Sequence, residues 1–290
     1  MSEQTEQMTA QIPAGVRAHL AHAALHTLAA DEGIDLLHIK GPAVHESIGR
    51  PLWASTDADV IVRPKQVSAF LNVLTEHGWR HVTSFASGSA FEHAATYHHD
   101  SWGYVDVHRV FPGLTSSDWF DSLWADRRFQ VIAGINCPVP SLLAQRLLLL
   151  LHVARNGRGE SDADFSRAWR ALNEREQIDL RSLASRLGAQ VGLAAALGEL
   201  DDYYDDPTHD LWMVFSQGSA SRLDEWKARF HAARGPVEKT RIIAKSLFVN
   251  TDHLAMRLGR APTTAEVMRE FVGRYTEAVH EISTKLFKRS

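Results

Sequence analysis

The chain has very little cysteine: Cys137 is the single example in 290 residues. One thiol excludes an intramolecular disulfide framework and a zinc site built from several cysteines. Long apolar runs are also missing. The most apolar stretch, residues 142–153, is about 12 residues long and contains Gln145 and Arg146, whereas a membrane span needs roughly 20. The polar start, MSEQTEQMTAQIPAG, has no basic segment followed by an apolar run, so the predicted location is the cytoplasm.

An excess of positive charge is missing as well. The formal net charge is −4 at pH 7, from 31 basic and 35 acidic residues. Nucleic-acid-binding proteins usually carry a basic surface, so this charge does not favour nucleic acid as a partner, although a local basic patch stays open. Apolar residues make up 44% and charged residues 23%, which is typical of a globular protein and excludes a disordered or collagenous chain.

The length predicts more than one domain, because single cores stop growing near roughly 250–300 residues. Residues 1–12 are expected to be a disordered tail. Residues 13–138 predict an α/β domain that begins with a helix, and residues 139–290 predict a helical domain. The expected class is therefore α+β, with a mixed sheet followed by helices. Strands are predicted at 35–40, 57–62, 79–85, 91–99, 104–111 and 129–132.

Local signals refine this scheme. A helix is predicted from Gly41-Pro42 to Ile48, a turn at 87–89 and an acidic linker at 201–210. The periodicity predicts helices in the second half near 141–156, 162–172, 176–187, 189–200, 219–233, 237–257 and 264–286.

Two aspartates open a predicted strand that continues with Val60-Ile61-Val62. Because side chains alternate along a strand, Asp57 and Asp59 should point to the same face. Two like charges this close repel unless a cation lies between them, and carboxylate oxygens suit Mg²⁺. Asp106 lies on another predicted strand with a valine on either side, where an unpaired buried carboxylate is costly. Three converging strand carboxylates favour a two-metal phosphoryl-transfer site.

A glycine turn precedes the aspartates. Lys40 and Gly41 lie between a predicted strand and a predicted helix, where glycine allows close approach to a ligand. A helix N-terminus there would offer N–H groups to a phosphate, and Lys40 would add positive charge.

The order of these motifs, HIKGPA, TDADVIVRP and YVDVHRVF, resembles the uncharacterised nucleotidyltransferase family of the DNA polymerase beta-like nucleotidyltransferase superfamily. The likeness extends into PVPSLLAQRLLLLLHVARN and covers roughly residues 35–200. It implies a polymerase beta-like fold and an Mg²⁺-dependent enzyme that moves an NMP from an NTP to an acceptor hydroxyl or phosphate, releasing pyrophosphate.

The resemblance also implies roles for single residues. Asp57 and Asp59 would hold two Mg²⁺ ions, and Asp106 would complete the metal site and help to deprotonate the acceptor. Gly41 and Lys40 would bind the nucleotide phosphates. The sequence departs from the family's pattern at two positions. Pro42 removes an N–H from the glycine turn. Trp53 stands where the family often has an arginine, and the nearest arginine in this sequence is Arg50.

Histidine is abundant, with 16 residues. His93, His98 and His99 lie on one predicted strand and His108 on the next, either as a second metal site or as half-exposed strand residues, and no His-Glu-x-x-His motif occurs. His108 should share the face of Asp106, where it contacts the nucleotide, orients that carboxylate, or packs and hydrogen-bonds structurally. His152 is either a packed histidine or a residue near the nucleotide. Of Asp162 and Asp164, one is expected to cap a helix. Cys137 receives no role.

Three functions stay open at this point. The first is a nucleotidyltransferase whose acceptor is a small molecule, a peptide, a protein or a tRNA, the last in a toxin-like role. The second is a nucleotide-binding module without turnover. The third is a metal-dependent phosphohydrolase that uses the same aspartates with water as the acceptor. The oligomeric state and the preferred base are not specified by the pattern.

Overall fold

A five-stranded sheet with strands in both directions organises the N-terminal half. Its spatial order is β1-β2-β5-β4-β3. The β2–β5 pair is parallel, whereas the other neighbouring strands are antiparallel. The strands are β1 (Leu36–Ile39), β2 (Asp57–Val62), β3 (Arg80–Thr83), β4 (Ala94–His99) and β5 (Gly103–His108).

Helices cover both faces of this sheet and continue to the C-terminus. In the first half they are α1 (Ala14–Asp31), α2 (Val67–Glu76), α3 (Phe85–Gly88) and α4 (Trp119–Ala125). The second half contains α5 (Leu142–Arg155), α6 (Ala163–Phe165), α7 (Glu174–Arg186), α8 (Gln190–Leu197), α9 (His209–Gln217), α10 (Arg222–Ala232), α11 (Pro236–Leu247), α12 (Thr251–Leu258) and α13 (Thr264–Phe287). The prediction of an α+β protein is confirmed.

This computed structural model describes residues 12–49, 51, 55–88, 91–157, 159–218, 221–233, 235–247, 249–258 and 260–287. The predicted tail, apart from residue 12, and the positions of Arg50 and Trp53 lie outside the described residues. Across the described ranges, no helix has the length and apolar character needed to cross a bilayer.

The two faces of the sheet pack into two separate hydrophobic clusters. On one face, strand residues such as Leu36 and Val60 pack with Leu25 of α1 and Phe70 of α2. On the other face, Leu37 and Ile61 join the large cluster that contains the leucines of α5. The alternation of strand side chains produces this division, because odd and even positions point in opposite directions. The domain boundary after residue 138 stays a prediction, since the second cluster includes residues from both sides of it.

A β-hairpin packs beside β1. It consists of the predicted strand β6 (Arg128–Ile132) and a strand that the sequence reasoning missed, β7 (Ile135–Val139). Gln130 Nε2 donates a hydrogen bond of 2.6 Å to the carbonyl of Pro42. The hairpin therefore supports the turn that follows β1.

The predicted helix from Gly41 to Ile48 is wrong. The chain forms one 3-10 turn, Gly41–Ala43, and Val44 is already extended with φ −79° and ψ 134°. An extended residue cannot continue a helix, so the α-helical N-terminus expected here is not formed.

Other boundaries also differ. The predicted turn at 87–89 overlaps the short helix α3. The predicted helix 162–172 is divided into α6 and a π-helical turn, Ser166–Arg170, and the predicted helix 237–257 is divided into α11 and α12. Helix α9 was missed, and it begins at His209, inside the stretch predicted as an acidic linker. Its Trp212 is buried in the large cluster, so a tertiary contact stabilises a segment whose local sequence is weakly helical.

Several histidines are fully buried in this fold, namely His22, His38 and His108. Burial disfavours the charged imidazolium. It lowers the pKa of His22 and of His108 to about 4, and it lowers the pKa of His38 well below 6.5, with help from the neighbouring His22 and His26. These three rings are therefore neutral in the folded protein near pH 7.

We expect the protein to lose stability when the pH falls from 7 to 5. The unfolded chain takes up protons near pH 6.5, whereas the folded protein keeps His22 and His108 neutral until about pH 4 and also keeps His38 neutral well below pH 6.5. Stability that is present above pH 6.5 is therefore lost on acidification. Each group contributes up to about 1.4 kcal/mol per pH unit. Urea unfolding at pH 7.5, 6.0 and 5.0 in the presence of a chelator measures the change.

The matched variants are His22→Gln, which should flatten the pH dependence, and His81→Gln, which removes an exposed histidine and should leave it unchanged. A free energy of unfolding that is constant or rises between pH 7.5 and 5.0 would contradict this account.

Candidate active site

The parallel pairing of β2 with β5 places two aspartates side by side. In this register Asp59 lies opposite Asp106, and Ile61 lies opposite His108. Asp57 is two residues before Asp59 and therefore shares its face. All of these side chains point to the sheet face that packs against the leucines of α5.

The closest group contains two carboxylates and one imidazole. Ligand atoms of Asp59, Asp106 and His108 all lie within 4.8 Å of one another. Asp57 does not belong to this close group, although it lines the same cleft as Asp59. The structure therefore brings Asp59 and Asp106 together as the sequence predicted, and it adds His108 to them.

Asp59 carries the strongest interactions of the site. Its Oδ1 accepts from Lys40 Nζ at 2.5 Å and from His108 Nε2 at 2.8 Å. Burial would raise the pKa of Asp59, but the Lys40 ammonium and the hydrogen bond from His108 outweigh it and hold that pKa well below its usual range. Asp59 is therefore ionised throughout the physiological pH range.

His108 has one tautomer in this arrangement. An ionised carboxylate only accepts hydrogen bonds, so His108 Nε2 must carry the proton that it donates to Asp59. The remaining nitrogen, Nδ1, is buried without a hydrogen-bond partner. The ring is also stacked near Phe111, with centroids 6.0 Å apart. The sequence left open a nucleotide contact, a bond to Asp106 or a structural hydrogen bond for His108, and the structure places its Nε2 on Asp59.

Asp57 and Asp106 differ from Asp59, because their pKa values are raised and not lowered. Burial, followed by the charge of Asp59, raises the pKa of Asp106 to about 6. The same two causes raise the pKa of Asp57. Thr96 Oγ1 on β4 donates to Asp106 Oδ1 at 2.7 Å, which opposes the rise. Negative charge is thus in excess on this face, and an oxygen-rich donor set with excess negative charge fits a divalent cation such as Mg²⁺.

The turn after β1 has a strained backbone. Lys40 has φ 56° and ψ −178°, a conformation that residues other than glycine rarely adopt. Gly41 follows with φ +45°, and a Cβ at this position would lie 2.5 Å from Ser55 Oγ. Ser55 in turn donates to the carbonyl of Asp57 at 3.0 Å. Glycine is required at position 41 because the turn packs directly against the start of β2.

A cleft of ≈ 280 Å³ opens beside these residues. It is lined on one side by the Lys40–Gly41 turn and the aspartates of β2, and on the other by Leu149 and His152 of α5 and by Asp164. The cleft therefore lies between the sheet and the first helices of the C-terminal half.

An arginine that the sequence reasoning missed connects α5 with His93, the residue just before β4. Arg155 donates to His93 Nε2 at 2.6 Å and to His152 Nδ1 at 3.1 Å. The His93 ring centroid lies 5.0 Å from that of His108. Burial, together with neighbouring positive groups, lowers the pKa of His152 to about 3 and that of His93 far below its usual range. Both rings are therefore neutral acceptors. The sequence did contain a signal for the contact between Arg155 and His152, because residues three apart lie on the same face of a helix.

His93, His98 and His99, which the sequence analysis grouped with His108, do not meet one another. His93 is buried at the site, whereas His98 lies beside Tyr104 and His99 lies beside Trp79 and Trp102. Within the described ranges, no group of metal-ligating atoms contains any of these three histidines. The interpretation as half-exposed strand residues holds for His98 and His99 only.

The second Asp-x-Asp pair lies at the start of α6. Asp162 accepts from the backbone N–H of Asp164 at 2.7 Å, so the predicted cap is confirmed. Asp164 is buried at the edge of the cleft and forms an ion pair with Arg167. These contacts favour a structural role for the pair.

Three solved structures that are similar to this chain have low sequence identity and low TM-scores. A crystal structure of the lincosamide antibiotic adenylyltransferase LnuA bound to lincomycin has 16% identity and a TM-score of 0.33, covering 58% of this chain and 96% of that one. A solution structure of the antibiotic-resistance factor ANT(2'')-Ia has 12% identity and a TM-score of 0.41, covering 59% and 91%.

A crystal structure of an antigenic nucleotidyltransferase-like protein from Paracoccidioides brasiliensis has 14% identity and a TM-score of 0.38, covering 62% of this chain and 94% of that one. No curated protein matches the chain. The family model of the uncharacterised nucleotidyltransferases matches residues 5–204, which include the strand aspartates, the glycine turn and helix α5. This match covers more than half of the chain, and the protein therefore belongs to the uncharacterised nucleotidyltransferase family, whose members are enzymes that transfer nucleotidyl groups.

Proposed function

We propose that this nucleotidyltransferase depends on Mg²⁺ and transfers an NMP from an NTP to a hydroxyl or phosphate of an acceptor, with release of pyrophosphate. The observation that carries the proposal is the register of β2 and β5, which sets Asp59 against Asp106 while Asp57 lines the adjoining cleft. A face with excess negative charge, next to a lysine and a glycine turn, is suited to a metal-bound triphosphate.

Asp57, Asp59 and Asp106 are assigned to hold two Mg²⁺ ions. Bound ions of this kind neutralise the developing charge and orient the attacking and leaving oxygens of a phosphoryl transfer. His108 orients Asp59, because its Nε2–H is fixed on that carboxylate. Thr96 orients Asp106 in the same way from the neighbouring strand. Both are positioning residues.

The transfer forms a bond between the acceptor oxygen and the α-phosphorus and breaks the bond between the α-phosphorus and the bridging oxygen to the β-phosphorus. Pyrophosphate leaves with that electron pair. Asp106 is assigned to take the proton of an acceptor hydroxyl. Lys40 lines the cleft and is assigned to the phosphate oxygens. Arg155, which is held by His93 and His152, supplies further positive charge near the carboxylates.

The acceptor is proposed to enter from the α5 side of the cleft. Leu149 and His152 form this wall, which offers one apolar and one polar contact. The acceptor classes are a small molecule, a peptide, a protein or a tRNA. The net charge of −4 makes a tRNA the least favoured of these.

A binding and product assay tests the function. We expect one or more of the four NTPs to raise the melting temperature only in the presence of Mg²⁺, since a ligand at 100 times its Kd adds about 2.7 kcal/mol to stability. With an NTP labelled at the α-phosphorus, transfer yields pyrophosphate together with a labelled acceptor. Free NMP without labelled acceptor would indicate a phosphohydrolase, and binding without any product would indicate a binding module.

Substitution of either Asp59 or Asp106 should reduce turnover, but the two substitutions should affect the stability of the protein differently. Asp106→Asn should reduce turnover by about a hundredfold or more, the usual contribution of a general base. The same change should maintain or raise the melting temperature, because it removes a charge that burial disfavours. Asp59→Asn should abolish turnover and lower stability by about 1–3 kcal/mol, because it leaves Lys40 and His108 without their charged partner.

Steady-state transfer rates and urea unfolding of the two variants measure these effects. The control is Asp100→Asn, which changes an exposed aspartate paired with Arg80 and should leave both the transfer rate and the stability close to those of wild type. An Asp106→Asn variant with full activity would remove this residue from the site.

The glycine turn offers a matched pair of variants. Gly33 and Gly41 both have positive φ, but a Cβ on Gly33 meets nothing within 4 Å, whereas a Cβ on Gly41 meets Ser55 Oγ at 2.5 Å. Gly33→Ala should cost about 1 kcal/mol of stability and leave the KM for NTP unchanged. Gly41→Ala should raise that KM at least tenfold, because the turn must move away from β2. Equal kinetics in the two variants would contradict a phosphate-binding role for this turn.

A further inference from the structure

A second group of metal-ligating side chains lies on the sheet face opposite the aspartates. His22 and His26 are one turn apart on α1, His38 is on β1, and Cys137 is on β7. His38 pairs with Val60 and therefore points away from the face of Asp59, which pairs with Ile39. Helix, strand and hairpin thus converge on one point that the proposed transfer reaction does not use.

The ligand atoms of this group lie close enough together to hold one metal ion. Ligand atoms of His26, His38 and Cys137 all lie within 4.8 Å of one another. His22 Nδ1 lies 2.8 Å from His38 Nδ1, and the ring centroids of His26 and His38 are 5.7 Å apart. Two imidazoles and one thiol are donors that zinc and related transition metals prefer, whereas Mg²⁺ prefers oxygen.

One metal-ligating nitrogen of this set, His38 Nε2, has no hydrogen-bond partner. His22 and His38 are fully buried and share one hydrogen bond between their Nδ1 atoms, while the Nε2 atoms of both rings have no partner. A neutral imidazole carries one N–H and one lone pair. If His38 donates through Nδ1, its Nε2 presents a lone pair inside the protein, and a buried lone pair without a partner is costly. A metal ion would satisfy it.

The same hydrogen bond supplies the outer support that metal-bound histidines usually have. Such a ligand generally donates its second N–H to another protein group, which fixes its tautomer and ring orientation. His22 Nδ1 is in position to accept from His38 Nδ1. Burial also keeps both rings neutral, which is the form that binds metal.

We propose that His26, His38 and Cys137 bind a divalent transition-metal ion of the Zn²⁺ type, with His22 as the residue that positions His38. On binding, the sulfur–metal bond replaces the S–H bond of Cys137, and the proton passes to solvent. Burial raises the pKa of this thiol to about 12. The affinity should therefore fall as the pH is lowered, since the proton competes with the metal. His26 is half-buried and provides the route from solvent.

The position of this site gives it a structural purpose. One ion would join α1, β1 and the β6–β7 hairpin, and His38 is two residues before Lys40 in the strained turn. The hairpin already contacts this turn through Gln130. A metal here would hold the far side of the strand that presents Lys40 to the cleft.

The test is a Co²⁺ titration of the full chain in excess Mg²⁺, which saturates the carboxylate site and leaves a nitrogen–sulfur site free. We expect one Co²⁺ per chain with a thiolate-to-metal charge-transfer band, and displacement of that band by Zn²⁺. His26→Ala and Cys137→Ser should each weaken binding at least tenfold, and Cys137→Ser should abolish the band. His22→Ala should weaken binding by about 10–100-fold while the band is retained.

The matched control is His19→Ala on the same helix, whose Nδ1 contacts the Gly15 carbonyl at 2.9 Å and which should bind Co²⁺ as the wild type does. Because His26 is half-buried, His26→Ala decides the question if Cys137→Ser does not fold. Absence of the band in the wild type, or wild-type affinity in His26→Ala, would overturn the proposal. Neither result depends on nucleotidyl transfer, so failure of the proposed function is detected separately.

Discussion

The site depends on the parallel pairing of β2 with β5, which forces Asp59 and Asp106 to lie side by side in a partly buried place. Two carboxylates in this position repel each other. The neighbouring groups stabilise the negative charge of Asp59 more than that of Asp106. Lys40 and His108 bind the charged carboxylate of Asp59 directly, whereas Asp106 accepts a hydrogen bond from the neutral Thr96 and has a raised pKa. One aspartate is thus permanently charged while its neighbour is close to protonation, an asymmetry that suits a metal ligand beside a general base.

The sheet separates two groups of side chains that could ligate a metal ion. Its α5 face presents oxygen donors next to an open cleft, and its α1 face presents nitrogen and sulfur donors in a nearly closed site. Strand β1 contributes to both, because Ile39 leads to Lys40 on one side while His38 points to Cys137 on the other. A hard cation with nucleotide and a softer structural ion would therefore not compete for the same residues.

Much of the fold and the core of the site could be predicted from the sequence. The strand of Asp57 and Asp59 has the predicted bounds, and the helix containing His152 begins and ends within a residue of the prediction. Such features are local, since period and capping act within a few residues. The helix after Gly41 failed because the turn is set by contact with Ser55 and the hairpin, which are distant in sequence.

The sequence by itself determined the class of protein, the glycine turn and the aspartates, because these depend on residue type and short spacing. Only the tertiary structure decided which groups surround them: Arg155 meets His93 across 62 positions, and Lys40 meets Asp59 across 19. The same holds for Cys137, which had no local signal and acquires His26 and His38 as neighbours through packing. The physical reason is that hydrogen bonds and burial act through space, so strand register and helix packing select partners that short-range patterns do not contain.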